Sequence, residues 1–280
     1  MVRKKFVWIE GKGWWFKDPS EHWLHIIPLA ERLEKAVLDI LRRRVEVTFD
    51  EILQEIYTKF TNALTPERFP LSEILQEYGE QVTVRAGGRT IHKWRLKRSV
   101  RAHIDMHSKI IKELANCGDK EMFDVWIGLN EQGKSVNAKY LRHYVSQKFS
   151  GGLLLPDIPS SITQEHIQYI DVLWIKENEI KCAFEVEYTT AITEAIRRLK
   201  AIPYEVKRVI VIPKERVRRM ERRVRGLVEL GMLREEELTS FYKLYFENVA
   251  SVCREGINNL LEPLSIGRNI KQQSTLDCFV

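Results

Sequence analysis

The stretch from Tyr169 to Thr190, YIDVLWIKENEIKCAFEVEYTT, constrains the fold more than any other part of the chain. Two apolar runs flank a polar turn, Lys176-Glu177-Asn178-Glu179. The spacing predicts a hairpin centred on Asn178 with an odd number of loop residues, which sets Asp171 opposite Glu185. Successive side chains alternate faces along a strand. One face therefore collects Ile170, Val172 and Trp174 against Val186, Phe184 and Cys182, and must be buried. The other face collects Asp171, Glu185 and Glu187, so three carboxylates meet at one end of a largely apolar hairpin.

Directly opposed residues have Cβ atoms roughly 4.5–5.5 Å apart. Carboxylates that close repel, and some must protonate unless a cation intervenes. A divalent metal supplies that cation, and Mg²⁺ takes oxygen ligands together with waters and substrate phosphates. The chemistry that follows is metal-assisted attack of water on a phosphodiester. The plainer alternative is a structural hairpin, because Val-Glu alternation is ordinary for a half-exposed strand.

The wider run YIDVLWI…AFEVEYTTAI resembles the PD-(D/E)XK superfamily, the fold of restriction endonucleases, and looks like a subgroup common in archaea. That signature is an acid on one strand, then acid-x-Lys on the next. Asp171 matches the first acid and Glu185 the second, with thirteen residues between them, and Glu187 stands where the family usually has Lys. The resemblance spans roughly Ala102 to Ala250. It implies an α/β fold, a restriction-endonuclease-like mixed sheet flanked by helices. It also implies a metal-dependent DNA endonuclease, with Asp171, Glu185 and Glu187 as catalytic residues holding Mg²⁺ (or Mn²⁺). The missing Lys leaves a rival: a catalytically inactive DNA-binding or regulatory protein on the same fold. Lys181 is about 13 Å along the strand from Glu185, too far to substitute, which leaves Arg197 and Lys200. In that fold a helix ahead of the first strand sometimes adds an acid, for which Glu113 and Glu131 are the local options.

At 280 residues the chain suggests two domains. Hydrophobic content of 44% is enough for real cores, and a net charge of +6 favours an anionic partner. No apolar run approaches the ~20 residues that span a bilayer, and the N-terminus lacks an uninterrupted apolar signal core. The four cysteines form no CxxC pair, so neither zinc site nor disulfide framework is indicated. The expected location is cytoplasmic and nucleoid-associated, without membrane contact and with a homodimer left open.

Residues 1–28 form a Trp-rich extension with a small hairpin around Gly11-Lys12-Gly13. Residues 29–97 read as a winged-helix domain: three amphipathic helices, then strands on either side of Gly87-Gly88. Thr48 with Glu51 makes a capping box for the second helix, and Thr65 with Pro66 would open the third. Its DNA contacts would be Arg68 on the third helix and Arg85, Arg89 and Lys93 on the wing, although Glu67, Glu73 and Glu77 oppose phosphate there. A protein-interaction module is the alternative.

Residues 98–264 form the nuclease-like domain. From Arg197 to Arg225 there are twelve Lys or Arg against three Glu. Arg197, Arg198, Arg218, Arg219 and Arg222 are expected to face outward and carry a duplex along this face, the alternative being a solvated helix surface. Residues 265–280 read as a polar tail. Its end, Gln273-Ser274-Thr275-Leu276-Asp277-Cys278-Phe279-Val280, resembles the PIP box that docks repair proteins on the sliding clamp (PCNA). Gln273, Leu276 and Phe279 match in place, and Val280 replaces the second aromatic. The partners expected are therefore DNA and the clamp, in DNA repair, replication or restriction.

Overall fold

A computed structural model describes residues 6–9, 13–16, 29–61, 65–86, 88–155, 166–188 and 192–265. At the N-terminus β1 (Phe6–Ile9) and β2 (Gly13–Phe16) pair as an antiparallel hairpin. The first module then runs α1 (Leu29–Arg43), β3 (Val47–Thr48), α2 (Phe49–Lys59), α3 (Arg68–Tyr78), β4 (Gly79–Ala86) and β5 (Arg89–Leu96). Its strands form an antiparallel sheet in the order β3-β5-β4. Thr48 caps α2 reciprocally with Glu51, as its spacing predicts. Helix α3 differs from expectation. Thr65 does not cap it but donates to the Phe60 carbonyl (2.9 Å), and the helix starts at Arg68. Pro70 therefore lies in the first turn, where its missing N–H has no intrahelical partner to lose, and it does not interrupt the helix.

The second module is built on a six-stranded mixed sheet in the order β13-β12-β11-β10-β9-β6. These strands are β6 (Asp124–Ile127), β9 (Val172–Lys176), β10 (Glu179–Val186), β11 (Lys207–Ile212), β12 (Phe241–Tyr245) and β13 (Glu262–Pro263). The pairs β10–β11 and β11–β12 are parallel and the remainder antiparallel. Helix α4 (Arg98–Lys120) covers one face of the sheet. A short helix α5 (Leu129–Gln132) follows β6, and β7 (Ser135–Val136) pairs with β8 (Lys139–Tyr140). Residues 141–144 form a 3₁₀ turn. Helices α6 (Ile192–Lys200) and α7 (Val217–Glu229) cover the other face. The continuous apolarity of β11 has this cause: Val209 and Val211 enter the α4 core, while Ile210 and Ile212 enter the α6–α7 core. The chain is thus an α/β protein, a mixed sheet flanked by helices. Among the described residues, no helix is long and apolar enough to cross a membrane.

The β9–β10 hairpin reaches its expected register by a different route. The turn has two residues, Glu177 and Asn178, both with positive φ (54° and 67°), the geometry of a tight hairpin turn. That alone would shift every pair by one and put Asp171 and Glu185 on opposite faces. A bulge between Ile180 and Cys182 restores the count, so Cys182 faces Trp174 and Phe184 faces Val172. One further residue along this register sets Asp171 opposite Glu185.

Helix α4 joins the two modules. Val100 lies in the core of the first, while Ile110, Ile111, Leu114 and Ala115 lie in the core of the second. Near its end Trp174 donates its indole N–H to the Leu114 carbonyl (3.0 Å). Gly118 makes room: a Cβ there would lie 2.5 Å from the Trp174 indole nitrogen. Gly118→Ala therefore destabilises the protein by ~1–3 kcal/mol in urea denaturation, overpacking outweighing the better helix propensity of alanine. A variant as stable as the wild type would show that Trp174 can move aside.

Candidate active site

The strands deliver the acidic residues to one end of the sheet. Asp171 precedes β9, Glu185 sits near the end of β10, and Glu187 just follows it, its N–H held by the Val211 carbonyl at 2.8 Å. All three are buried. Their surroundings differ.

Asp171 Oδ2 accepts from the Val186 N–H (2.8 Å) and lies 3.5 Å from His107 Nε2. His107 projects from α4, and its Nδ1 lies 3.4 Å from Glu131 on α5. Lys134 donates to both oxygens of Glu131, at 2.7 and 2.6 Å. Burial pushes the Asp171 carboxyl up, but the His107 bond and charge, Arg198 and the Val186 N–H outweigh it and hold the group below the usual range. Burial disfavours the His107 cation, yet Asp171 and then Glu131 raise its pKa above the ordinary value. The His107 ring thus lies between the two carboxylates, which favour its charged form.

Glu185 is fully buried and held by Arg198, whose Nε and Nη2 donate to its two oxygens at 2.7 and 2.6 Å. Even so, burial pushes Glu185 well above the usual carboxylate range, Arg198 opposing it. Glu187 is raised to about 7, first by burial and then by the neighbouring Asp171.

Asp171, Glu187, His107, Glu131 and Arg198 line one cleft of about 610 Å³. Glu185 does not: α6 crosses the end of β10, and Arg198 takes both of its oxygens. Arg198 is corrected. It is not displayed outward for phosphate but turned inward on Glu185. Neither proposed stand-in for the missing Lys reaches the acids. Arg197 pairs with Glu194, and Lys200 lies 3.2 Å from Glu237. Lys181 pairs with Glu179 at the far end of the hairpin.

The structure sorts the other expected residues. Arg218 and Arg222 are exposed on α7, as are Arg68, Arg85 and Arg89 in the first module. Lys93 is half-buried, 3.6 Å from Glu46. Arg219 is corrected: it is committed to Glu34 and Glu77 of the first module, beside Arg216 on Glu77 and Arg223 on Glu31. Glu113 is exposed, whereas Glu131 is at the site. Gln273, Leu276, Phe279 and Val280 lie outside the described residues.

One ligand atom from each of His107, Glu131 and Asp171 lies within 4.8 Å of the others. Two carboxylates and an imidazole suit a divalent cation. An imidazole suits Mn²⁺ better than Mg²⁺, which prefers oxygen. His107 escaped the sequence reading, although it carried a signal. It occupies a half-buried position of α4, one turn from each of Ile104 and Ile111 on the same side of the helix.

The mixed sheet with acids at the open end of a β-hairpin defines a nuclease-like α/β domain. Residues 92–259 match the family model described as the type II restriction enzyme NmeDI C-terminal domain. The chain belongs to that family. No curated protein and no solved structure matches it.

The buried Glu187 makes a stability prediction. Its folded-state pKa of about 7 exceeds the ordinary 4.5, so the folded state binds this proton more tightly than the unfolded chain. Stability is fully present below the unfolded pKa and is lost as pH rises through the folded one. Glu187→Gln escapes that loss. With a chelator present, its stability relative to the wild type rises between about pH 4.5 and about pH 7 by roughly 2–4 kcal/mol and then levels off. An advantage unchanged across that window in urea denaturation would show that Glu187 titrates like an exposed carboxyl.

Proposed function

We propose that the protein is a metal-dependent DNA endonuclease that hydrolyses phosphodiester bonds. The observation that carries this is the convergence of Asp171, Glu131, His107 and Glu187 in one cleft of a restriction-enzyme family domain. Asp171, Glu131 and neutral His107 would hold the cation, either Mn²⁺ or Mg²⁺. When bound, it would acidify a water and polarise the scissile phosphate. Glu187, beside that set but committed to no cation, accepts the water's proton; a pKa near neutrality suits a general base. The Glu185–Arg198 pair holds α6 against β10 and keeps a guanidinium at the wall of the cleft. Arg68, Arg85 and Arg89 of a winged-helix first module, with Arg218 and Arg222, are the outward cations available for duplex contact.

Asp171→Asn and Glu187→Gln should each lower Mn²⁺- or Mg²⁺-dependent cleavage by at least ~100-fold while leaving duplex binding largely intact. Duplex, branched, mismatched and flap DNA are the substrates to assay. A second reading has its own support. Arg198 neutralises the second acid of the motif and Glu187 replaces its Lys, as in a protein that binds DNA without cutting it. Wild-type protein that binds these DNAs but cuts none of them with either metal selects that reading.

The tail motif completes the proposal as a recruitment signal. Leu276 and Phe279 are three apart in the sequence, so a helical turn formed on docking would put both on one face to fill an apolar clamp pocket, with Gln273 beside it. A peptide of residues 266–280 is expected to bind a sliding clamp of the source organism in calorimetry, and Leu276→Ala with Phe279→Ala to abolish the heat. Equal heats for the two peptides, or none for either, remove the clamp from the account.

A further inference from the structure

Helix α1 belongs to the first module, yet two of its residues, Lys35 and Arg42, line the same cleft as Asp171 and Glu187. They are seven positions apart, which is two turns, or ~10.5 Å along one helix face. Both are exposed, and among the described residues neither forms an ion pair with a carboxylate.

The rest of α1 explains why it stands there. Leu33, Val37, Ile40 and Leu41 face its own module's core. Glu31 and Glu34 face the second module. Glu31 accepts from Thr193 on α6 (2.8 Å) and pairs with Arg223, while Glu34 pairs with Arg219. One face packs, one anchors the helix across the module boundary, and the remaining face is left at the cleft.

Charge indicates what that face meets. The floor of the cleft carries Asp171, Glu187 and Glu131, with Asp105 and Glu194 also lining it. A polyanion approaching such a floor is repelled. A cation held there would offset the floor only at the reacting phosphate, and flanking phosphates need charges of their own. Lys35 and Arg42 supply them from α1. Lys109 also lines the cleft from α4, and Lys134 does so while paired to Glu131.

We propose that α1 is a wall of the active cleft, and that Lys35 and Arg42 grip the phosphodiester backbone of the strand entering it. This rests on the nuclease reading for the identity of the ligand. The first module is then part of the substrate site itself. Its grip carries no base information, because phosphate contacts position a strand without reading it.

The test uses the full chain without divalent cation, so that binding is read apart from cleavage. Fluorescence anisotropy is followed over a salt series with a labelled duplex and with its single strand. Lys35→Gln/Arg42→Gln is expected to reduce the duplex salt slope by about two and to weaken binding roughly tenfold or more at about 0.1 M salt. A fall in either arm supports the wall, and the arm with the larger fall identifies the strand state gripped. The control Lys120→Gln/Lys176→Gln removes the same charge far from the cleft: Lys120 is ~20 Å along α4 from His107, and Lys176 is ~17 Å along β9 from Asp171. It should keep the wild-type slope, with thermal melts showing all three proteins folded. An unchanged slope in the α1 variant, an equal loss in the control, or no binding by the wild type overturns the proposal. A wild type that binds but never cleaves removes the nuclease reading and leaves the wall to be judged on its slope.

Discussion

Buried negative charge at the end of the β9–β10 hairpin is the constraint around which the second module is arranged. Asp171, Glu185 and Glu187 are all buried within a few residues of a hydrophobic sheet. Two neighbouring elements meet the cost with nitrogen donors. Helix α4 brings His107 to Asp171, and α6 brings Arg198 to Glu185. Glu187 is paired with neither: burial and the Asp171 charge outweigh the pull of Arg198 and His107 and raise its pKa to about 7. The least compensated acid is therefore the one able to exchange a proton near neutrality, which is the property a hydrolytic site needs.

The same logic joins the modules. Arg216 lies between Tyr78 and Tyr188, 5.3 and 5.1 Å from the two ring centres, and donates to the Tyr78 hydroxyl at 2.9 Å. Arg219 and Arg223 continue the contact through Glu34, Glu77 and Glu31. Glu31 and Glu34 each keep one buried oxygen without a hydrogen-bond partner. Such pairs add little net stability against an apolar interface, but removing one partner costs several kcal/mol. They fix orientation more than they add strength. Orientation is what a cleft with walls from two modules requires.

The sequence disclosed the elements more readily than their partners. Alternation along Tyr169–Thr190 placed the three acids on one face even though the turn was misjudged, because a two-residue turn and a one-residue bulge preserve parity. Val209–Ile212 announced a strand covered on both faces. The pairing of Glu185 with Arg198 was not visible, because twelve residues lie between them and only the crossing of α6 over β10 brings them together. His107 was hidden for the same reason: its partners lie on α5 and at the start of β9, and no local spacing links them.

The arginine-rich helix shows why charge counts mislead about surfaces. The excess of cations between Arg197 and Arg225 suggested a continuous basic face. Helical geometry splits it. Positions 216, 219 and 223 share one side of α7 and meet acids of the first module, while Arg218, Arg222 and Arg225 point to solvent. Conversely, Glu77 weighed against DNA contact by the third helix of the first module, and its partners prove to be Arg216 and Arg219. The acids on α1 and α3 and the arginines on α7 are two halves of one interface. Once they cancel, α7 offers an anion less charge than the twelve cations against three acids between Arg197 and Arg225 suggest, and Lys35 and Arg42 at the cleft gain weight.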